Sequence, residues 1–539
     1  MRAVNVRPLA LAGALAALLC AAFIALYTGF PHEPQRRYIF DYLLQTQDLP
    51  AAALLLLIVV AAAFPPLARP GLALVEWVGR RPGTTALVAF VALCAGQILI
   101  AQDYPLAGDE HLILLQAKAF AAGRLTAQFP PELLRWVVPW PYLNLWLYAS
   151  PETGSVVSVY WPGFALLLAP FVLLGIPWAC NPLLASGALL LIGRLAQRLV
   201  AAPQAAGWAM LLTLASPAFT GMALGYFSMT AHLFFNLAYV GLLLERRFLL
   251  AGVVGSFALI LHNPWPHSLV ALPWIVWIAR HEGWRALLRL AAGYAPITLV
   301  IGAGWWLVMR HVQGPLWFAA PAGDGLLYWQ VQFARVFTEP GSATFVKRAA
   351  ELVKLWLWTV PALPALMVAG GWLARRETGP RLVGLSFAAT LAGYLFVWFD
   401  QGYGWGVRYL HPAFAALPIL GALALTRLEN EGVRRHAAAA ALLSLVLATP
   451  FRWAQIDSFM SDHLSRRPAF EKNVRQLVLL KLDVDYYTQD FVQNDPFLRA
   501  PVIFMLSRGH DADQKLLRER FPRARLAHEA PFGQVWRFD

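Results

Sequence analysis

Asp109 and Glu110 stand side by side at the end of a long apolar run, in the stretch YPLAGDEHLILLQAKAFAAGRL, with His111 next to them. Adjacent carboxylates at a membrane surface can take a proton from an incoming hydroxyl or amine, which is the work of a general base. With His111 they could also hold a divalent cation, since hard cations favour carboxylate oxygens. A third use is structural. Gly108-Asp109 ahead of an apolar run starts a helix with Asp109 as N-cap, and Gly123 can end it from the left-handed C′ position. Spacing leaves all three open.

Other groups could serve the same site. Arg408, flanked by Tyr409 and His411, is a cation at the edge of an apolar run. It could bind an anion or simply snorkel to lipid headgroups. Lys118 and Arg135 are further cations near the acid pair. His232, His262 and His267 lie in or beside apolar segments, where polar groups are costly and mark functional sites. A satisfied structural histidine is the plainer account of each. Between the acid pair and the next apolar run, tryptophans, tyrosines and prolines crowd together, Tyr160 among them. They suit an interfacial belt, or stacking on the apolar face of a sugar.

These residues need a scaffold, and composition names it. Of 539 residues, 59% are hydrophobic and only 14% charged, well below the roughly one quarter charged of soluble domains. Mean hydropathy is +0.55. The pattern predicts a polytopic α-helical integral membrane protein with about 13–15 spans. The net charge of +13 is dispersed between apolar runs, which reads as topology signal and not as a nucleic-acid footprint. Cys20, Cys94 and Cys180 fall in or beside apolar runs, with neither zinc nor disulfide spacing.

Residues 1–82 read as a two-helix membrane extension, entered from the cytoplasm as an uncleaved first helix. Residues 83–451 form the main transmembrane region, with external loops at 102–156 and 310–351. Residues 452–539 form a small soluble α/β domain, in which PVIFML and FGQVWRF read as strands and DADQKLLRERF as a helix. Arg69, Arg80 and Arg81 mark a cytoplasmic loop, so the next span delivers Asp109 to the outer face. Arg246/Arg247, Arg280/Arg285, Arg375/Arg376 and Arg434/Arg435 form a second cytoplasmic set, which puts the Asp400–Arg408 loop and the C-terminal domain outside. Between 157 and Arg194 the charges ask for an odd number of crossings, whereas hydropathy suggests two. The short loop helix 110–122, at about 20 Å, suits the interface better than a crossing.

AGDEHLILLQAKAFAAGRL resembles the first external loop of the C-type glycosyltransferases, which include protein O-mannosyltransferases and aminoarabinose–lipid A transferases. SVVSVYWPGFALLLAPFVLLGIPWACNPLL, LASPAFTGMALGYFSMTAHLFFNLAYVGLLL and GYGWGVRYLHPAFAALPIL resemble later elements of one bacterial branch, in the right order, over roughly residues 85–425. There are departures. The family's Tyr-Pro-Pro-Gly is Tyr160-Trp161-Pro162-Gly163 here, and Val159 stands where a basic residue is usual. HNPWPH replaces the arginine-proline near the middle, and two spans precede the acid pair instead of one.

The resemblance implies an inverting membrane glycosyltransferase of the bacterial inner membrane that acts in cell-envelope glycosylation. It would move a sugar from a polyprenyl-phosphate donor to a lipid, glycan or protein acceptor on the periplasmic side. Asp109 would be the catalytic base and Glu110 its support, with no certain cofactor and room for a divalent metal near the pair. His111, Lys118, Arg135, Tyr160, His232, Arg408, Tyr409 and His411 would line the donor phosphate or sugar site. Two other classes compete. A secondary transporter or lipid flippase would favour inverted repeats and mid-span acids, whereas this sequence has no convincing repeat and its acids sit at a boundary. A scaffold presenting the C-terminal domain leaves the ordered motifs without a reason.

Overall fold

A backbone inside hydrocarbon must satisfy its own N–H and C=O groups, so the apolar runs become helices. The computed structural model describes residues 7–29, 39–143, 146–313, 339–397, 399–482 and 488–538. Much of the expected 310–351 loop lies outside them. Six described helices are long and apolar enough to cross a membrane: Pro8–Thr28, Ile39–Ala62, Pro82–Leu99, Pro177–Val200, Trp284–Gln313 and Glu431–Ser465. Five shorter apolar helices accompany them: Gly163–Leu173, Ala205–Leu214, Met229–Leu244, Phe248–Leu259 and Leu363–Leu373. The chain is a multi-pass membrane protein. Fewer helices reach full length than the about 13–15 expected from apolar runs of spanning size, because turns divide several runs. Ser216-Pro217 separates Ala205–Leu214 from Pro217–Met222, and the turn before Leu363, with Ala362 at φ 63°, ends Ser342–Leu357.

We label the helices that build the site α1 (Pro82–Leu99), α2 (Gly108–Ala121), α3 (Gly163–Leu173), α4 (Met229–Leu244), α5 (Phe248–Leu259), α6 (Ser342–Leu357), α7 (Thr449–Ser465) and α8 (His510–Arg520). The 11 residues of α3 rise about 16 Å, roughly half the hydrocarbon thickness. Pro177–Val200 is the one described helix between 157 and Arg194 that is long and apolar enough to cross. The boundary drawn at 452 has no counterpart in the backbone: α7 is the end of the 35-residue helix Glu431–Ser465. Arg452, which reads as the first residue outside, is buried within it.

Beyond α7 lies a four-stranded sheet of β4 (Gln476–Leu480), β5 (Val502–Leu506), β6 (Arg525–Ala530) and β7 (Gly533–Arg537), in the order β5-β4-β7-β6. β4 runs parallel to β5 and antiparallel to β7, and α8 connects β5 to β6. The strands and helix read from PVIFML, FGQVWRF and DADQKLLRERF are β5, β7 and α8. The loop between α2 and α3 carries a second small antiparallel sheet, β1 (Ala127–Gln128), β2 (Leu147–Ala149) and β3 (Ser155–Ser158), ordered β1-β3-β2.

α2 lies between these layers. Ile113, Leu114 and Ala117 pack on Phe164, Ala165 and Leu168 of α3. Leu112 and Leu115 pack with Leu477, Met505, Leu516 and Leu517 of the C-terminal region. A helix apolar on nearly all sides is one buried on nearly all sides, here between α3 and the C-terminal region.

Candidate active site

Four segments remote in sequence meet around Asp109, each set by its own local chemistry. The first is the start of α2. Its N-cap is Ala107, so Asp109 sits already inside the helix. Glu110, at the third helical position, accepts the backbone N–H groups of Leu106 (3.0 Å) and Ala107 (3.2 Å). An acid reaching back from that position satisfies donors the helix start leaves orphaned. The capping duty expected of Asp109 therefore falls to Glu110. Gly123 ends α2 as read from sequence, with φ 71°. The N–H groups of Gly123 and Arg124 return to the carbonyls of Phe120 and Ala119, each at 2.9 Å, a Schellman ending.

The second segment, Leu224–Ser228, grips the other side of Glu110. The Tyr226 N–H donates to Glu110 Oε1 at 2.6 Å. Gly225 has φ 117°, and a Cβ there would lie 2.5 Å from the same oxygen, so glycine alone permits the approach. The Gly225 N–H donates to Gln97 of α1, and Asn181 Nδ2 donates to the carbonyls of Gly225 and Phe227, both at 2.9 Å. The Tyr226 hydroxyl donates to Asp103.

The third segment delivers a cation. Gly402, Gly404 and Gly406 all have positive φ and wind the loop around Gln401. The Gln401 side chain accepts the Arg408 N–H (3.0 Å) and donates to the Gly406 carbonyl (2.8 Å). Arg408 then pairs directly with Asp109, its guanidinium 4.1 Å from the centre of the Phe227 ring. The two side chains remain 11% and 13% exposed. The fourth segment is the Tyr160–His262 stack, at 4.2 Å between ring centres, tied by the Trp161 N–H to the His262 carbonyl (2.8 Å). Both rings lie in the electrostatic field of Asp109 and Arg408.

Burial pushes the Glu110 carboxyl up to about 7; Asp109 adds to the rise, while the N–H donors and Arg408 oppose it. Burial also lowers the His111 imidazole to about 3, helped by Lys118. Lys118 is lowered by burial against the pull of Asp495 and Asp103, and Asp103 accepts the hydroxyl of Tyr226, whose N–H holds Glu110.

The remaining predicted residues divide. Tyr409 stacks on Tyr394 at 4.6 Å and donates its hydroxyl to the Asp400 carbonyl (2.9 Å), which steadies the loop behind Arg408. His232 on α4 is fully buried, and neither ring nitrogen has a partner among the described residues; the same holds for His411 Nε2. His111 faces Val492 and Asn494 of the C-terminal region across a small cavity. Arg135 is not brought to the group. It is exposed, and its carbonyl accepts Arg508 Nε at 2.7 Å.

A metal does not fit the donors present. Asp109 is engaged by Arg408, Glu110 by three N–H groups, and no group of three or more His, Cys, Asp or Glu among the described residues could hold an ion.

α4 relates the site to the charged loops. It begins beside Phe227, and at its far end the Leu244 carbonyl accepts Arg198 at 2.5 Å, near the Arg246–Glu282 pair (2.9 Å). Those cationic loops and Asp109 therefore lie at opposite ends of a helix about 24 Å long.

No protein-family model matches the sequence, and no curated protein does. Solved structures do. The crystal structure of ArnT from Cupriavidus metallidurans bound to undecaprenyl phosphate superposes with a TM-score of 0.54 at 14% identity, covering 84% of this chain and 97% of that one. The chain has the ArnT fold. The apo-state structure of the same protein gives a TM-score of 0.50 at 13% identity, over 84% and 98% of the two chains.

Within this ArnT fold several site residues carry little signal in the sequence. Gln97, Asn181, Tyr226 and Gln401 act on backbone groups or on loops from other segments, and no motif spacing reveals that. Gly225 and the three glycines at 402–406 are the available hints, since glycine clusters beside apolar runs mark backbones of unusual conformation.

Proposed function

We propose that the protein is a glycosyltransferase that moves a sugar from a polyprenyl-phosphate donor to an acceptor on the periplasmic face of the bacterial inner membrane, with inversion. The observation that carries this reading is the Asp109–Arg408 pair, at the end of the ArnT-like bundle opposite the cationic loops. The geometry supports a division of labour. Asp109, fixed on the first turn of α2, takes the proton from the acceptor hydroxyl or amine. The acceptor atom bonds to the sugar's anomeric carbon as the bond from that carbon to the phosphate oxygen breaks, and the phosphate leaves with the electron pair. Arg408 exchanges Asp109 for that phosphate, which frees the base as the leaving group gains charge. Glu110 is a positioning residue in this scheme, because its oxygens are occupied by N–H groups.

A lipid donor suits the location, since an isoprenoid tail in the bilayer leaves its reacting carbon at headgroup depth. The test incubates purified protein with a panel of polyprenyl-phosphate sugars and an acceptor extract, following donor loss and the anomeric configuration of the product. Donor loss with an inverted product supports the proposal. Translocation of donor lipid in proteoliposomes without any product overturns it in favour of a flippase.

A further inference from the structure

The C-terminal region reaches into the site from outside. Residues 488–494 lie against the start of α2. Gln493 Nε2 donates to the Pro105 carbonyl (2.7 Å) and to that of Asp490 (2.8 Å), while Val492 and Asn494 share a cavity wall with His111 and Leu112. Asp490, 4% exposed, accepts the hydroxyl of Tyr142, 1% exposed. Tyr142 in turn packs on Gly108, the first residue of α2: a Cβ there would sit 2.6 Å from its ring. Trp146 braces the tyrosine at 5.0 Å between ring centres.

Among the described residues this buried carboxyl is served by one hydroxyl, a poor stabiliser because the cost of desolvation exceeds the worth of a single hydrogen bond. Burial raises the Asp490 carboxyl, and Asp109 and Glu110 add to the rise against the Tyr142 bond. Such a group is useful as a constraint. Its bond joins the C-terminal sheet region to the loop that touches the helix turn bearing Asp109.

We propose that Tyr142 and Asp490 are positioning residues of the active site: through their hydrogen bond and the Gly108 contact, the C-terminal region holds the first turn of α2 where Asp109 meets Arg408. The inference rests on the reading of Asp109 as the base. It gives 452–539 a part in catalysis beyond that of an appended domain.

The test measures amide hydrogen exchange over residues 104–112 of the full-length protein in nanodiscs, with donor turnover in parallel. Asp490→Leu and Tyr142→Phe are expected to speed exchange in this segment about tenfold with the global thermal midpoint little changed. They should lower kcat about tenfold or more at unchanged donor KM, since small displacements of a reacting group are costly. Asp490→Asn keeps an oxygen for Tyr142 and is expected to return both readings towards wild type. Unchanged exchange in both disruptive variants overturns the clamp. So does a wild-type kcat despite faster exchange, or an Asp490→Asn protein as impaired as Asp490→Leu. Should wild-type protein turn over no donor, the glycosyltransferase reading fails, and the exchange arm decides the clamp alone.

Discussion

Asp109–Arg408 and Asp48–Lys354–Arg452 are both buried charge clusters, yet they are built to opposite ends. Asp48 accepts Lys354 Nζ (2.8 Å), Arg452 (2.9 Å) and Trp358 Nε1 (2.6 Å). Arg452 also donates to the carbonyls of Gln47 (3.0 Å) and Leu357 (3.1 Å), with its guanidinium 4.1 Å from the Trp358 ring centre. Asp48, Lys354 and Arg452 are at most 1% exposed, and they tie Ile39–Ala62 to α6 and α7. Asp109, by contrast, accepts only Arg408 among the described residues, and both remain open to about a tenth of their surface. Beside them the Nε2 of His262 has no partner among the described residues. A carboxylate shared by three buried donors holds helices together. One that leaves capacity unused can exchange partners with a ligand.

Variants can break or sharpen this contrast. The largest effect is expected at the closed cluster. Asp48→Asn leaves two cations buried without an anion, which costs about 3–5 kcal/mol by the measure of other broken buried pairs. The thermal midpoint in detergent should fall steeply, whereas Arg408→Gln, at the open cluster, should leave it nearly unchanged. A similar fall for both would erase the distinction. Activity should then divide the other way: Arg408→Gln lowers donor turnover about 10²–10³-fold, the range for loss of a charge-stabilising donor, with Arg408→Lys retaining more.

The next effect is a pH dependence. With the Glu110 carboxyl near 7, lowering the pH through that value protonates it and removes a lone pair from the N–H groups it caps. Turnover should fall several-fold as pH drops through about 7, and the inflection should be missing in Glu110→Gln. An inflection that survives Glu110→Gln assigns it to another group. The smallest effect is at Arg135, which faces the C-terminal region. Arg135→Ala should change turnover less than about twofold, the ordinary result for an exposed side chain away from the chemistry. A larger loss would draw Arg135 back into the site.

The sequence made the acid pair, its position after an apolar run, the polytopic helical class and the C-terminal α/β pattern legible, because these are local in composition and period. It misjudged what depends on distant partners. Arg452 read as the first residue beyond a span; only the fold shows that it ends on Asp48, which also takes Lys354. The cap moved from Asp109 to Glu110 because the helix begins two residues earlier than the Gly-Asp pair suggests, with Ala107 in place of Asp109 as N-cap. Tyr142 and Asp490, 348 residues apart, have no local signature at all. Arg408 was legible as a cation at a boundary that could serve the site of Asp109, and the two pair directly.

The central claim is that Asp109, held against Arg408, is the base of a lipid-linked sugar transfer. It is tested most directly by comparing wild type and Asp109→Asn for release of polyprenyl phosphate from a radiolabelled polyprenyl-phosphate sugar in the presence of acceptor. The account predicts release by the wild type and a loss of about 10²–10⁴-fold in the variant, at an unchanged thermal midpoint. Wild-type release by a well-folded Asp109→Asn protein would contradict it.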